Sequence, residues 1–187
     1  MKRFMIYLLN DRFKRKDARY VLTEVRALYT DSNIIIRDIR IATDFLEIDM
    51  SIPDDFQIEA TLSLLTTIAP LVGSYEIDEK YMGKIASIKY ARELFNSEKY
   101  WRTHEVLEGV WKRSENNEKK ILNSIILISA ALVHYQKNES EICISILRRA
   151  LVKLDGIAGE YFGIDLNKVR TDVTKIIDTG VVEKVTI

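Results

Sequence analysis

The chain has 187 residues, 47% of them hydrophobic, and Lys plus Arg equals Asp plus Glu at 28 each, so the net charge at neutral pH is zero. That apolar content suffices for one or two cores, and the lack of a basic excess argues against a nucleic-acid binder. The single cysteine, Cys143, excludes an internal disulfide and suits a reducing cytoplasm. Met1 to Leu9 is too short for a secretory signal, with charged residues following at once. The longest apolar run, Ile121 to Tyr135, carries Asn123, Ser124, Ser129 and His134 and falls short of the roughly 18 apolar residues of a membrane span. The expectation is a cytoplasmic protein without a membrane segment. A charged content of 30%, many isoleucines and few glutamines give a thermophile-like composition.

In chain order, Arg3 to Leu9 reads as a strand and Ala18 to Tyr29 as a helix, through the spacing of Val21, Leu22, Val25 and Leu28. The basic cluster Arg12, Lys14, Arg15, Lys16 and Arg19 reads as a solvated helix start. Asp31-Ser32-Asn33 breaks the pattern. Asn33 to Ile41 and Phe45 to Ser51 follow as strands around the turn Ala42-Thr43-Asp44. Pro53 fits a helix start, with Asp54 and Gln57 spaced like a capping box. The helix would run from Phe56 to Ile68 and end before Pro70 and Gly73, and Tyr75 to Asp78 would be a last short strand. The order β-α-β-β-α-β is that of a ferredoxin-like split βαβ domain over residues 1–78. One sheet face would be covered by the two helices and the other left open to solvent or a partner. No strand carries the aromatic residues that stack RNA bases on such a sheet.

Glu79 to Gly83 is the expected boundary, and residues 84–187 read as an all-α bundle, giving an α+β fold class. Ile85 to Phe95 has helical spacing. Ser97 suits an N-cap, with Glu98 in the first turn of a second helix. Asn117 suits the cap of an apolar helix, Lys119 to Tyr135, surrounded by others. After the turn Lys137-Asn138-Glu139-Ser140, a helix presents Ile142, Ile146, Ala150 and Leu154, with Arg148 and Arg149 on its flank. Asp165 caps a last helix with Val169, Val173, Ile176 and Ile177, ended by Gly180. Val181 to Ile187 is expected to add a strand or a partner contact.

The stretch that draws attention is Tyr100 to Trp111, which holds His104 and both tryptophans. On a helix, with His104 at zero, Trp111 lies about 20° to one side, Glu108 about 40° and Trp101 about 60° to the other. Glu105, Lys112, Gly109 and Arg102 would form the solvent face. The i,i+4 pair His104 and Glu108 sits at the edge of the apolar face, where an idle carboxylate is costly. The pair either locks helix packing or converges on one ligand.

These residues, written H-x-x-x-E-x-x-W over His104, Glu108 and Trp111 and preceded by Leu94 to Trp101, resemble the signature of the domain of unknown function 309 family. Its pattern is of the type F-N-x-G-x-Y-x-x-x-H-E-x-x-E-x-x-W, and the resemblance runs from about Tyr90 to Leu154. It implies a small helical protein without an established activity. Ser97 is the visible departure, read as standing where the family often has glycine.

His104-Glu105-Val106-Leu107-Glu108 lacks the second histidine of a zincin helix, and no nucleophile motif is present. Four readings follow. His104, Glu108 and His134 are candidate ligands for a divalent metal such as zinc or iron. His104 or Glu108 would be the catalytic group of a metal-dependent or general acid-base, hydrolase-type enzyme. Trp101, Trp111, Tyr100 and Asn123 would line a small-ligand pocket. The remaining reading is an assembly module forming a homo-oligomer, a homodimer above all. Binding or assembly ranks first, because neither a nucleophile nor a complete metal set is legible.

Overall fold

The computed structural model describes residues 1–29, 33–78 and 81–187. Asp31 and Ser32 of the expected break, and Glu79 and Lys80 of the expected boundary, lie outside the described residues. Contacts divide the chain into two compact units, one over Met1–Asp78 with the short stretch Gln136–Asn138, the other over the remainder to Ile187.

The first unit has the order β1 (Lys2–Leu9), α1 (Ala18–Ala27), β2 (Ile35–Ile41), β3 (Phe45–Ile52), α2 (Ile58–Leu65) and β4 (Leu71–Glu76). The sheet order is β2-β3-β1-β4, antiparallel between neighbours. β3 is therefore inserted between β1 and β2, the split βαβ arrangement expected from the element order. Alternation along the strands sorts the side chains. Phe4, Ile6 and Leu8 of β1 and Leu46, Ile48, Met50 and Ile52 of β3 form one core with Val21 and Val25 of α1 and Leu65 of α2. In β2 a register shift between Ile36 and Asp38 lets both Ile36 and Ile39 join that core.

Three boundaries differ from the sequence reading. α1 is led in by a 3-10 turn, Arg15–Asp17, in which Asp17 accepts the Lys14 backbone N–H at 2.8 Å. Pro53 opens a turn, closed by Phe56 N–H to Pro53 C=O at 3.2 Å, and the helix starts later, with Gln57 at its N-cap and no side-chain cap bond. Asp54 is therefore not a cap. β4 begins at Leu71, so Gly73 lies within the strand rather than ending a helix. Met5, Tyr7, Arg40, Glu47, Asp49 and Ser51 are all buried.

The second unit contains α3 (Lys84–Asn96), α4 (Tyr100–Trp111), α5 (Asn116–Gln136), α6 (Ser140–Lys153), a hairpin of β5 (Glu160–Tyr161) and β6 (Ile164–Asp165), and α7 (Leu166–Thr179). From Ile121 to its end, α5 has no exposed residue, as expected of a helix enclosed by others. Its Leu122, Ile125 and Ile128 share a core with Phe95, Leu107, Leu147 and Val173. Asn117 lies inside α5 and does not cap it. On α6 the expected face is buried at Ala150 and Leu154 and partly at Ile146, with Cys143 and Leu147 beside it, while Ile142 is exposed. Burial pushes the Cys143 thiol up to about 11, so the unreactive thiol form dominates at neutral pH. Asp165 caps α7 by accepting the N–H groups of Asn167 and Lys168 at 2.9 and 3.0 Å. Gly180 ends it in the left-handed region, φ 69°. Among the described residues no helix is long and apolar enough to cross a membrane.

Candidate functional site

The motif helix α4 packs on α3, and its start differs from the expectation. Ser97 is the C-cap of α3, and Lys99 is the N-cap of α4. Glu98 between them is not in a first helical turn; it holds φ 59°. Counted from Tyr100, the glycine of the family pattern falls on Glu98 rather than on Ser97. Only glycine takes that conformation without steric cost, so the departure from the pattern lies at Glu98.

Tyr100, Thr103, Leu107 and Val110 form the buried face of α4. Trp101, Arg102, His104, Glu105, Val106, Glu108, Gly109 and Trp111 are half-buried, and no residue of α4 is exposed. The solvent face expected at Arg102, Glu105 and Gly109 is therefore absent; Lys112, just past the helix, is exposed. The His104 side chain is 27% exposed and Glu108 38%. His104 Nδ1 lies 3.2 Å from Glu105 Oε1, and Nε2 faces Glu108 Oε1 at 3.8 Å. Glu108 Oε2 in turn faces Lys112 Nζ at 3.6 Å. The i,i+4 pair faces each other beyond hydrogen-bond distance, and Glu105 supplies the closer partner.

His134 is engaged elsewhere, with its Nδ1 2.5 Å from Glu139 Oε2 across the turn after α5. Asn123 is half-buried on the same stripe of α5. Eleven residues separate it from His134, about 16 Å along the helix, so one pocket cannot use both. Among the described residues no group of three or more His, Cys, Asp or Glu side chains is placed to hold a metal ion. The proposed ligand set His104, Glu108 and His134 is thus not assembled.

Tyr100, expected in a pocket, lies in the core. Its ring meets Phe95 edge-on at 5.1 Å, and burial, aided by Glu98, raises its hydroxyl pKa. Trp111 lies under Lys119 Nζ, 4.8 Å from the ring centroid. Its indole N–H is buried and has no acceptor among the described residues.

Two charged clusters escaped the sequence reading. On the sheet of the first unit, Arg40 donates Nε–H to Glu47 and lies 3.6 Å from Asp38 and 3.9 Å from Asp49. Arg3 forks onto Asp49 at 2.8 and 2.6 Å, and Tyr7 donates its O–H to Glu47 at 3.0 Å. Burial works to lower the Arg40 pKa, but Glu47, Asp38 and Asp49 outweigh it and raise it. Burial, with Glu47 beside it, raises that of Tyr7. The signal was legible: Glu47, Asp49 and Ser51 alternate with Leu46, Ile48 and Met50, which puts three polar groups on one face.

In the second unit Glu118 accepts from Lys84 Nζ at 2.9 Å and from Tyr161 O–H at 3.0 Å, tying α3, α5 and β5 together. The Lys84 hydrogen bond lowers the Glu118 pKa below its ordinary 4.5, against an opposing effect of burial. A lowered carboxylate pKa stabilises the folded state above the unfolded value, and that stability is lost as pH falls through the folded value. The advantage of the wild type over Glu118→Gln is therefore expected to be full above about pH 4.5 and to fade below it. Paired urea titrations across that range measure it, and an advantage independent of pH would refute the assignment.

An antiparallel four-stranded sheet with two helices, followed by a helical bundle that includes a His/Glu/Trp helix, defines a two-unit α+β protein. Residues 88–146 match the family model of a domain of unknown function, DUF309. A stretch of 93 residues, 49% of this chain, is 26% identical to an uncharacterized protein of Aquifex aeolicus (strain VF5), of whose length it covers 28%. A crystal structure of a conserved hypothetical protein from Thermus thermophilus is similar over 49% of this chain and 95% of that one, at 24% identity and a TM-score of 0.44.

Proposed function

We propose that this protein is an assembly module, which binds another polypeptide and does not turn over a substrate; a second copy of the chain is the first partner to test. The observation that carries the reading is the state of the motif helix. α4 has no exposed residue, and its polar groups are engaged with one another, His104 with Glu105 and Glu108, and Glu108 with Lys112. A general base must reach the proton it abstracts, and a zinc centre needs three or four converging ligands. The polar row along one helix fits neither requirement. Tyr81, Met82 and Ile85, before and at the start of α3, are exposed apolar side chains of the kind an interface covers. A buried Cys143 is in keeping with a cytoplasmic setting.

A second reading, a small ligand held beside Trp111, is favoured by one observation: the buried indole N–H that lacks an acceptor. Proton NMR separates the two readings from each other and from metal chemistry, because the chain has two histidines and hence two ring systems to assign. The assembly reading expects neither ring to respond to stoichiometric zinc or to a chelator, and sedimentation velocity to give a mass that grows with concentration. A strictly monomeric chain whose His104 signal shifts with zinc would overturn it.

A further inference from the structure

We infer that the helical unit contains a peptide-binding groove that segment 181–187 occupies as a latch, and that the same segment of a second copy can fill it in trans. The inference stands on α3, α5 and α7 and does not depend on the reading of α4. After Gly180 the chain leaves α7 and forms neither helix nor strand. Its main chain is held instead by side chains of the bundle. The Asn96 amide, at the end of α3, donates to Ile187 C=O at 2.9 Å and accepts Ile187 N–H at 3.0 Å. Lys168 of α7 reaches Thr186 C=O at 3.3 Å, and Tyr135 of α5 donates to Val182 C=O at 3.2 Å.

These contacts read mainly backbone, although Lys168 also meets the Thr186 hydroxyl at 3.1 Å. Specificity comes from two other features. Val185 and Ile187 are buried in the bundle core while Thr186 between them is exposed, an inward-outward-inward alternation. Glu183 pairs with Lys175 at 2.7 Å, and Lys184 faces Glu98 at 3.9 Å. Backbone hydrogen bonds for affinity, with pockets for alternate side chains, is the recognition mode of an extended peptide. The bundle thus reads residues 181–187 as a ligand that happens to be tethered. The ligand class is an extended polypeptide with two apolar side chains two positions apart. A second copy offers an identical segment, complementary in both pockets and both charges, which is the low-cost route to an exchanged dimer.

A tethered ligand opens without unfolding its receptor. In native-state hydrogen exchange of the wild-type chain, the Ile187 amide is therefore expected to exchange about tenfold or more faster than the core amides of α5. Exchange of Ile187 only together with Leu122 and Ile125 would make the segment part of the core and overturn the latch. The second measurement uses the variant Val185→Asp/Ile187→Asp of the whole chain of residues 1–187, which spoils the latch and leaves the groove intact. A fluorescent peptide with the sequence of residues 181–187 is expected to bind this variant about tenfold or more tighter than the wild type, whose groove is open for a fraction of the time. Adding Asn96→Ala is expected to abolish that gain. Equal binding to all three proteins overturns the groove, and if the double variant does not fold, the exchange measurement on the wild type decides alone.

Discussion

Replacing Arg40 with methionine is expected to destabilise the first unit by about 3–5 kcal/mol, the range for removing one member of a buried ion pair. The cause is what remains behind. Arg40 is 2% exposed and Glu47 1%, so without the guanidinium the Glu47 carboxylate is left with the Tyr7 hydroxyl in a site without solvent. Asp49 suffers less, because Arg3 still forks onto it. The double replacement Arg40→Met with Glu47→Leu removes both charges, and it is expected to recover most of the loss. Urea unfolding followed by circular dichroism is the appropriate measurement, since both tryptophans lie in the other unit and their fluorescence does not report on the sheet. A single variant that loses less than about 1 kcal/mol would show the network to be hydrated in solution and worth no more than a surface pair.

The same network marks where the sequence was readable and where it was not. Period-2 alternation in Phe45 to Ser51 located β3 and its inner face, because Leu46, Ile48 and Met50 must share one side of a pleated strand. The same alternation puts Glu47 and Asp49 on the other face, but it cannot tell whether they meet water or buried partners. Burial on that side is a property of the folded chain and leaves no mark on local periodicity. β2 was harder still, since the bulge after Ile36 breaks the alternation that would have declared it.

Helix interiors were legible and most helix ends were not, although the Asp165 cap and Gly180 end of α7 were. Ile121 to Tyr135 is apolar on every side, and α5 is enclosed accordingly. Ser97 had the right chemistry for an N-cap, yet Glu98 turns left-handed and the helix starts at Tyr100. Propensity favours a cap wherever Ser precedes a helical pattern, and the packing of α4 on α3 fixes the turn instead. For the motif the helical wheel brought His104 near Glu108, as found. A wheel holds no information on the neighbouring helix, so it could not see that His134 is taken by Glu139.

The motif itself supplies the second large effect. Phe95→Ala is expected to cost about 3–5 kcal/mol, the range for deleting a buried aromatic ring, whereas His104→Ala is expected to cost about 1 kcal/mol or less. Phe95 has no solvent exposure, packs edge-on against Tyr100 and sits in the core shared by α4, α5, α6 and α7. Its removal leaves a cavity that the helices cannot close without moving Tyr100. His104 is half-buried on α4 and keeps company with carboxylates that solvent still reaches, so its loss leaves no buried charge stranded. Tryptophan fluorescence reports both variants, because Trp101 and Trp111 flank the site. If the two costs stand in this order, the aromatic half of the signature builds the fold and its polar half contributes little to it. If His104→Ala proves as damaging as Phe95→Ala, the polar row is itself a structural lock, and α4 has no side chain left to offer a partner.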